Sequence, residues 1–180
     1  MITRLVTDVD GVLTDGMHYY TAEGKTMKAF ASHDSDAIKI FRKMGIEVSA
    51  ISADHRGFAI SQKRLENLGV DLVLVREDER LSWFTGNCNA SETAFVGDGL
   101  WDVPVMQAAA VSFSPSDAVN EARDAATYVV DTPGGRGVLL DVLRRFARYI
   151  EPYNSANGVS LTSYHPHRII LNVSALSSLR

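Results

Sequence analysis

Leu5-Val6-Thr7-Asp8-Val9-Asp10-Gly11-Val12-Leu13-Thr14-Asp15-Gly16 is the stretch on which the reading of this chain turns. An apolar run from Ile2 to Val6 ends in two aspartates spaced i, i+2, with glycine immediately after. Read as a buried strand, the run must leave the sheet at or just after Asp8, and Gly11 gives the backbone freedom for a sharp exit. Both carboxylates then lie near the carboxyl end of the strand, where open parallel sheets keep their ligands. Two carboxylates so close repel unless a cation sits between them or one keeps its proton. A hard ion such as Mg²⁺ suits the first solution, and a general acid is the chemical use of the second.

Strand-like and helix-like segments alternate outward from there. Residues 17–21 and 26–30 read as a hairpin around Ala22-Glu23-Gly24-Lys25. A helix capped by Asp34 or Ser35 follows, with Ala37, Ile38, Ile40, Phe41 and Met44 on one face and Gly45 as its stop. Strands are expected at 46–51, 71–75, 93–96, 110–113 and 128–130. Helices are expected at 56–68 (Ile60, Arg64, Leu65 and Leu68 forming its stripe), around 81–84, after Asp102, at 117–125 and at 138–150. Such alternation predicts a parallel sheet with helices on both faces. Residues 152–180 open with Pro152, Asn154, Ser155, Asn157 and Gly158 and lose periodicity, so 1–151 is expected to be the domain and 152–180 a tail.

The totals fit one soluble domain. Of 180 residues 46% are hydrophobic and 22% charged, and the net charge of -4 gives no electrostatic case for nucleic acid or an anionic membrane. A single cysteine, Cys88, excludes an internal disulfide framework. No apolar run approaches a membrane span and no signal peptide is visible, so a cytoplasmic location is expected.

Four chemical elements fall at predicted strand ends: Asp8/Asp10, Ser52, the Arg76–Arg80 cluster, and Asp98/Asp102. A parallel sheet brings such ends to one edge. Together they hold a carboxylate nucleophile, a carboxyl acid/base, a hydroxyl, a cation and distal metal-binding carboxylates, which is what phosphoryl transfer requires.

This ordered set, across roughly residues 2–150, resembles the haloacid dehalogenase (HAD) superfamily, a Rossmann-like three-layer α/β/α fold. The resemblance implies that Asp8 attacks phosphorus to form an aspartyl-phosphate while Asp10 acts as acid and then base. It implies Mg²⁺ held by Asp8, the backbone carbonyl of Asp10, and Asp98, with Asp102 as a further ligand or as support behind one. Ser52 is implied to donate to a phosphoryl oxygen. Where the family carries a lysine, this chain offers Arg80, with Lys63 and Arg76 as alternative cations. DVDGVLTDG, a short hairpin in place of a cap domain, KAF followed by His-Asp-Ser, GDGLWDVPVM and the late GGRG are similar to the capless subgroup. That subgroup dephosphorylates keto-acid sugar phosphates such as KDO 8-phosphate and nine-carbon 9-phosphates. It implies a homotetramer whose hairpins pack centrally, a tail that docks on a neighbour, and Arg136 as a substrate contact, with His33 and Arg56 as further candidates. The chain departs from the subgroup at Asp34-Ser35-Asp36-Ala37, which lacks two glycines, and at Ser52-Ala53-Asp54-His55-Arg56 in place of Thr-Gly-Arg. Asp36, Asp54 and His55 are therefore expected to reshape the pocket. The alternatives are a HAD phosphatase of another small phosphometabolite, or a weakened homologue with a binding role.

Overall fold

The computed structural model describes residues 1–146 and two short strands at 164–165 and 168–169. Six parallel strands form the central sheet: β1 (Arg4–Asp8), β4 (Glu47–Ser52), β5 (Asp71–Leu74), β6 (Thr93–Val96), β7 (Val111–Ser114) and β8 (Tyr128–Val129), in the order β5-β4-β1-β6-β7-β8. β2 (Tyr19–Thr21) and β3 (Gly24–Met27) make the hairpin, and β9 (Tyr164–His165) and β10 (Arg168–Ile169) a second antiparallel pair. The helices are α1 (His33–Lys43), α2 (Phe58–Leu68), α3 (Arg80–Asn87), α4 (Val103–Ala108), α5 (Asn120–Ala125) and α6 (Val138–Phe146). The chain runs from β1 outward through β4 and β5, then returns to β6 on the other side of β1. That reversal makes the carboxyl ends of β4, β1 and β6 the crevice in which such sheets bind ligands.

Strand alternation builds two cores. Leu5, Ala50, Ala94 and Val96 point to one face, under Phe41 of α1, Leu65 of α2, and Leu139, Leu143 and Phe146 of α6. Val6, Ile51 and Phe95 point to the other, under Phe84 of α3, Val105 and Met106 of α4, and Ala122 of α5. The expected three layers are present, with the period of two carried along each strand. Among the described residues no helix is long and apolar enough to cross a membrane. The expected tail, and the end of the helix expected at 138–150, fall mostly outside the described residues.

Several local readings shift. The hairpin is shorter than expected, and Met17, Tyr20 and Met27 are exposed rather than packed (64%, 56% and 59%). In α2 the buried residues are Ser61 and Leu65, not Ile60, because Ser61 accepts a hydrogen bond at 2.9 Å from the buried ammonium of Lys28. α2 also begins at Phe58 instead of Arg56, since Gly57 N–H donates to Asp54 Oδ1 (3.1 Å) in a turn that precedes the helix.

Asp34 is the largest local departure. It does not cap its own helix. It is buried inside the first turn of α1, and its Oδ1 accepts from the N–H of Leu139 (2.8 Å), an orphan donor at the start of α6. One helix thus caps another across 105 residues. Burial raises the Asp34 carboxyl to about 6, against the opposing hydrogen bond from Leu139. The folded protein therefore holds this proton more tightly than the unfolded chain. The stabilisation is complete below about pH 4 and is lost as pH rises to about 6, by up to ~3 kcal/mol. Asp34→Asn keeps an acceptor for Leu139 and cannot ionise. Thermal melts should show it more stable than the wild type at pH 7–8, with the fall in stability between pH 4 and 6 reduced.

Candidate active site

The site grows from the exit of β1. Asp10 (φ −86°, ψ 106°) and Gly11 (φ 98°) break away from helical geometry, and only glycine tolerates the latter angle without strain. A Cβ at Gly11 would also collide with the Asp98 carboxylate, so the glycine lets the two acidic loops approach. Thr14 ties the loop together: its hydroxyl donates to Val9 O (3.3 Å) and accepts from Gly11 N–H (3.2 Å). Gly135 N–H donates to Val12 O (3.0 Å), which docks the late glycine segment on the same loop.

Asp8, Asp98 and Asp102 each bring a carboxylate oxygen to within 4.8 Å of the others. The positions expected from the sequence therefore converge. Asp8 is 3% exposed and Asp102 fully buried. Asp102 Oδ2 accepts from the N–H groups of Asp98 and Gly99, both at 3.0 Å, and its Oδ1 accepts from Arg80. Its oxygens are thus spent on shaping the loop and holding the cation. Arg80 spans the two acids, donating also to Asp8 Oδ1 at 3.1 Å. Burial opposes the guanidinium charge, but Asp8 and Asp102 outweigh it and hold Arg80 firmly cationic.

One guanidinium does not balance three acids, two of them buried and the third half-buried. Burial first, and the neighbouring acids after it, push Asp8 well above the usual carboxylate range despite Arg80. The same causes, burial and then the charge of Asp102, raise Asp98 to about 7. Hard oxygen donors carrying surplus negative charge are what a divalent cation such as Mg²⁺ requires, so the residues fit a metal of that type. Asp8 and Asp98 carry the least committed oxygens. The hydrogen bonds that Asp102 accepts from Asp98 and Gly99 support the loop that carries Asp98.

Ser52, the last residue of β4, donates to Asp10 Oδ2 (2.8 Å) and accepts from Asp54 N–H (3.1 Å). Its proton is therefore directed at Asp10, not into open space where a phosphoryl oxygen would sit. Two lysines that the sequence reading left out complete this side. Lys28 lies 2.6 Å from Asp10 Oδ1 and 2.7 Å from Asp54 Oδ2, and Lys25 lies 2.5 Å from Asp54 Oδ2. Burial works to raise Asp54, but hydrogen bonds from Lys25, Lys28 and Gly57 N–H hold it well below the usual carboxylate range. Asp10, His18 and Asp54 also lie within metal-holding distance of one another. The two ammonium groups already neutralise that cluster, so it does not fit a second metal. The signal for the lysines was the spacing Lys25-x-x-Lys28. In a continuous strand those positions face opposite ways, but β3 ends at Met27 and the chain turns, bringing both to Asp54.

A cleft of about 330 Å³ opens above these groups, lined by Asp10, His18, Tyr20, Lys25, Ala53, Asp54, His55, Arg56, Glu77 and Arg80. Asp54 and His55, expected to reshape the pocket, and Arg56, expected to contact substrate, all line it. Asp36 does not, being exposed beside Lys39. His33 and Arg136, expected as substrate contacts, line a second cleft with Asp15, Tyr19 and Phe30. Arg76 is 73% exposed and paired with Asp78 at 3.1 Å, and Lys63 is on the exposed side of α2; neither reaches the site that Arg80 fills.

No family model matches the chain. It is 32% identical over 146 residues to the 3-deoxy-D-manno-octulosonate 8-phosphate phosphatase KdsC of Haemophilus influenzae, covering 78% of this chain and 80% of that one. The cobalt-bound structure of the Haemophilus influenzae phosphatase superposes with a TM-score of 0.75 at 28% identity, over 86% of this chain and 92% of that one. A Moraxella catarrhalis phosphatase of the same name, in complex with magnesium, phosphate and KDO, superposes with a TM-score of 0.77 over 86% of this chain and 90% of that one; at 24% identity it speaks to the fold. With the four acidic positions and the cation gathered at one sheet edge in the expected order, the chain belongs to the KDO 8-phosphate phosphatase family of the HAD superfamily, a family of phosphoric monoester hydrolases.

Proposed function

We propose that the protein is a Mg²⁺-dependent phosphomonoesterase whose substrate is a keto-acid sugar phosphate, with KDO 8-phosphate first and a nine-carbon 9-phosphate second. The observation that carries this reading is the meeting of Asp8, Asp98 and Asp102, two of them held by Arg80, which itself lines a cleft of about 330 Å³ together with Asp10. That volume lies in the range of small-ligand sites. The exposed guanidinium of Arg56 on the cleft wall favours a ligand that carries a second anionic group, such as a carboxylate, besides its phosphate.

In this reading Asp8 attacks phosphorus in line, forming an acyl-phosphate bond as the bond to the sugar oxygen breaks. Asp10 gives its proton to the departing oxygen. It then takes a proton from the water that cleaves the aspartyl-phosphate, releasing inorganic phosphate and restoring Asp8. Arg80 fixes the orientation of the Asp8 carboxylate throughout. Asp8, Asp98 and the backbone carbonyl of Asp10 would hold the metal, which when bound offsets the charge of the phosphoryl oxygens. The cobalt in the Haemophilus influenzae neighbour supports a divalent ion. We also propose a homotetramer. The exposed Met17, Tyr19, Tyr20 and Met27 of the hairpin supply an apolar surface for it.

Hydrolysis of a generic aryl phosphate should require Mg²⁺ and should disappear in Asp8→Asn; equal turnover by both proteins rules out this nucleophile. A sugar-phosphate panel containing KDO 8-phosphate tests the substrate, and a preference for simple hexose phosphates removes the keto-acid assignment. Arg80→Ala should lower kcat by roughly 100-fold, on the scale of losing one oriented cationic group. Arg80→Lys should recover part of the loss, because it restores the charge but cannot bridge Asp8 and Asp102 as a planar fork does. Sedimentation at micromolar concentration checks the assembly.

A further inference from the structure

Lys28 is fully buried, and a buried ammonium is costly unless every N–H finds an acceptor. Its ammonium forms ion pairs with Asp10 Oδ1 at 2.6 Å and Asp54 Oδ2 at 2.7 Å and donates to Ser61 Oγ at 2.9 Å. These come from three separate elements, the loop after β1, the loop after β4, and α2, while Lys28 itself follows β3. The surroundings are shaped to admit it. A Cβ at Gly57 would collide with the Asp54 carboxylate and crowd the stems of Lys25 and Lys28, so glycine leaves the space the two lysines fill. Ser61 places a hydroxyl on the buried side of α2 where an apolar residue would otherwise pack.

With its side chain closed off from solvent, Lys28 cannot touch a substrate in the cleft. Its reach into the chemistry is through Asp10. Ser52 holds Oδ2 of that carboxylate at 2.8 Å and Lys28 holds Oδ1, so the group is gripped at both oxygens and cannot rotate freely. Asp10 still lines the cleft, with 18% of its side chain exposed. We propose that Lys28 is a positioning residue: it fastens the hairpin to the two loops of the site and aims the Asp10 carboxylate at the leaving oxygen. The inference rests on the phosphatase reading above and extends it to a residue of the hairpin.

The test compares two esters. A sugar phosphate has a poor leaving group that needs the proton from Asp10, whereas 4-nitrophenolate leaves without one. In Lys28→Met, kcat/KM for a hexose phosphate or KDO 8-phosphate should fall by roughly 100-fold, the scale of general acid catalysis, with kcat/KM for 4-nitrophenyl phosphate falling by less than about threefold. An equal loss on both esters overturns the positioning role and makes Lys28 a structural residue only. The double variant Lys28→Met/Asp54→Asn restores the charge balance of the cluster, leaving Lys25 and Asp10 as one cation and one anion, and it carries the comparison if the single variant does not fold. A selective defect that persists in the double variant supports positioning, and recovery of sugar-phosphate turnover shows that Lys28 serves only to neutralise Asp54. Wild-type protein that leaves both esters intact overturns the phosphatase reading itself, an outcome distinct from wild-type turnover with no selective loss.

Discussion

Mutual repulsion among acids at one edge of the sheet is the constraint to which the rest of this structure answers. Asp8, Asp98 and Asp102 crowd together, and Asp10 and Asp54 crowd beside them. Two of these groups, Asp8 and Asp98, are held well above the ordinary carboxylate range, chiefly by burial. Such an arrangement persists only where cations are built around it. Arg80 serves the first cluster as a fork between Asp8 and Asp102, and Lys25 and Lys28 serve the second. The first remains short of positive charge and the second does not. That difference separates a cluster suited to a divalent ion from one closed by side chains.

The same electrostatics explains the hairpin. A two-stranded ribbon of seven residues has too little core to hold itself in place. Its outer side chains are exposed, yet Lys25 and Lys28 at its returning arm are buried against Asp54 and Asp10. Phe30 adds a single bridge to Thr14. Pulling the flap away would leave buried charges without partners, so it is anchored by the chemistry of the site it borders. The altered second motif belongs to this arrangement. Asp54, which departs from the family pattern, receives both lysines and also shapes the turn into α2 through Gly57.

Away from the site the fold is held by ordinary means, with one exception. The two faces of the sheet are covered by the apolar sides of α1, α2 and α6 and of α3, α4 and α5, but the junction of α1 and α6 buries the carboxyl of Asp34. Asp34 caps α6 in place of a local residue, linking the first and last helices of the described domain. The bond offsets part of the cost of burying the acid, and the raised Asp34 carboxyl records what remains.

The sequence by itself determined the layering, the sheet-edge convergence of Asp8, Asp10, Ser52, Asp98 and Asp102, and the presence there of a cation from the Arg76–Arg80 cluster. These follow from local signals: strand alternation, glycine at a turn, and acids at strand ends, all of which a parallel sheet converts into proximity without further information. Only the tertiary structure decided the partners of Lys28, the inter-helical cap by Asp34, the burial of Ser61, the spent oxygens of Asp102, and the place of Arg136 and His33 in a second cleft. Each of these depends on contacts between segments far apart in the chain, or on a turn just past the end of an element. A periodicity of two or of 3.6 fixes the face on which a side chain lies; it does not fix which distant loop arrives to meet it.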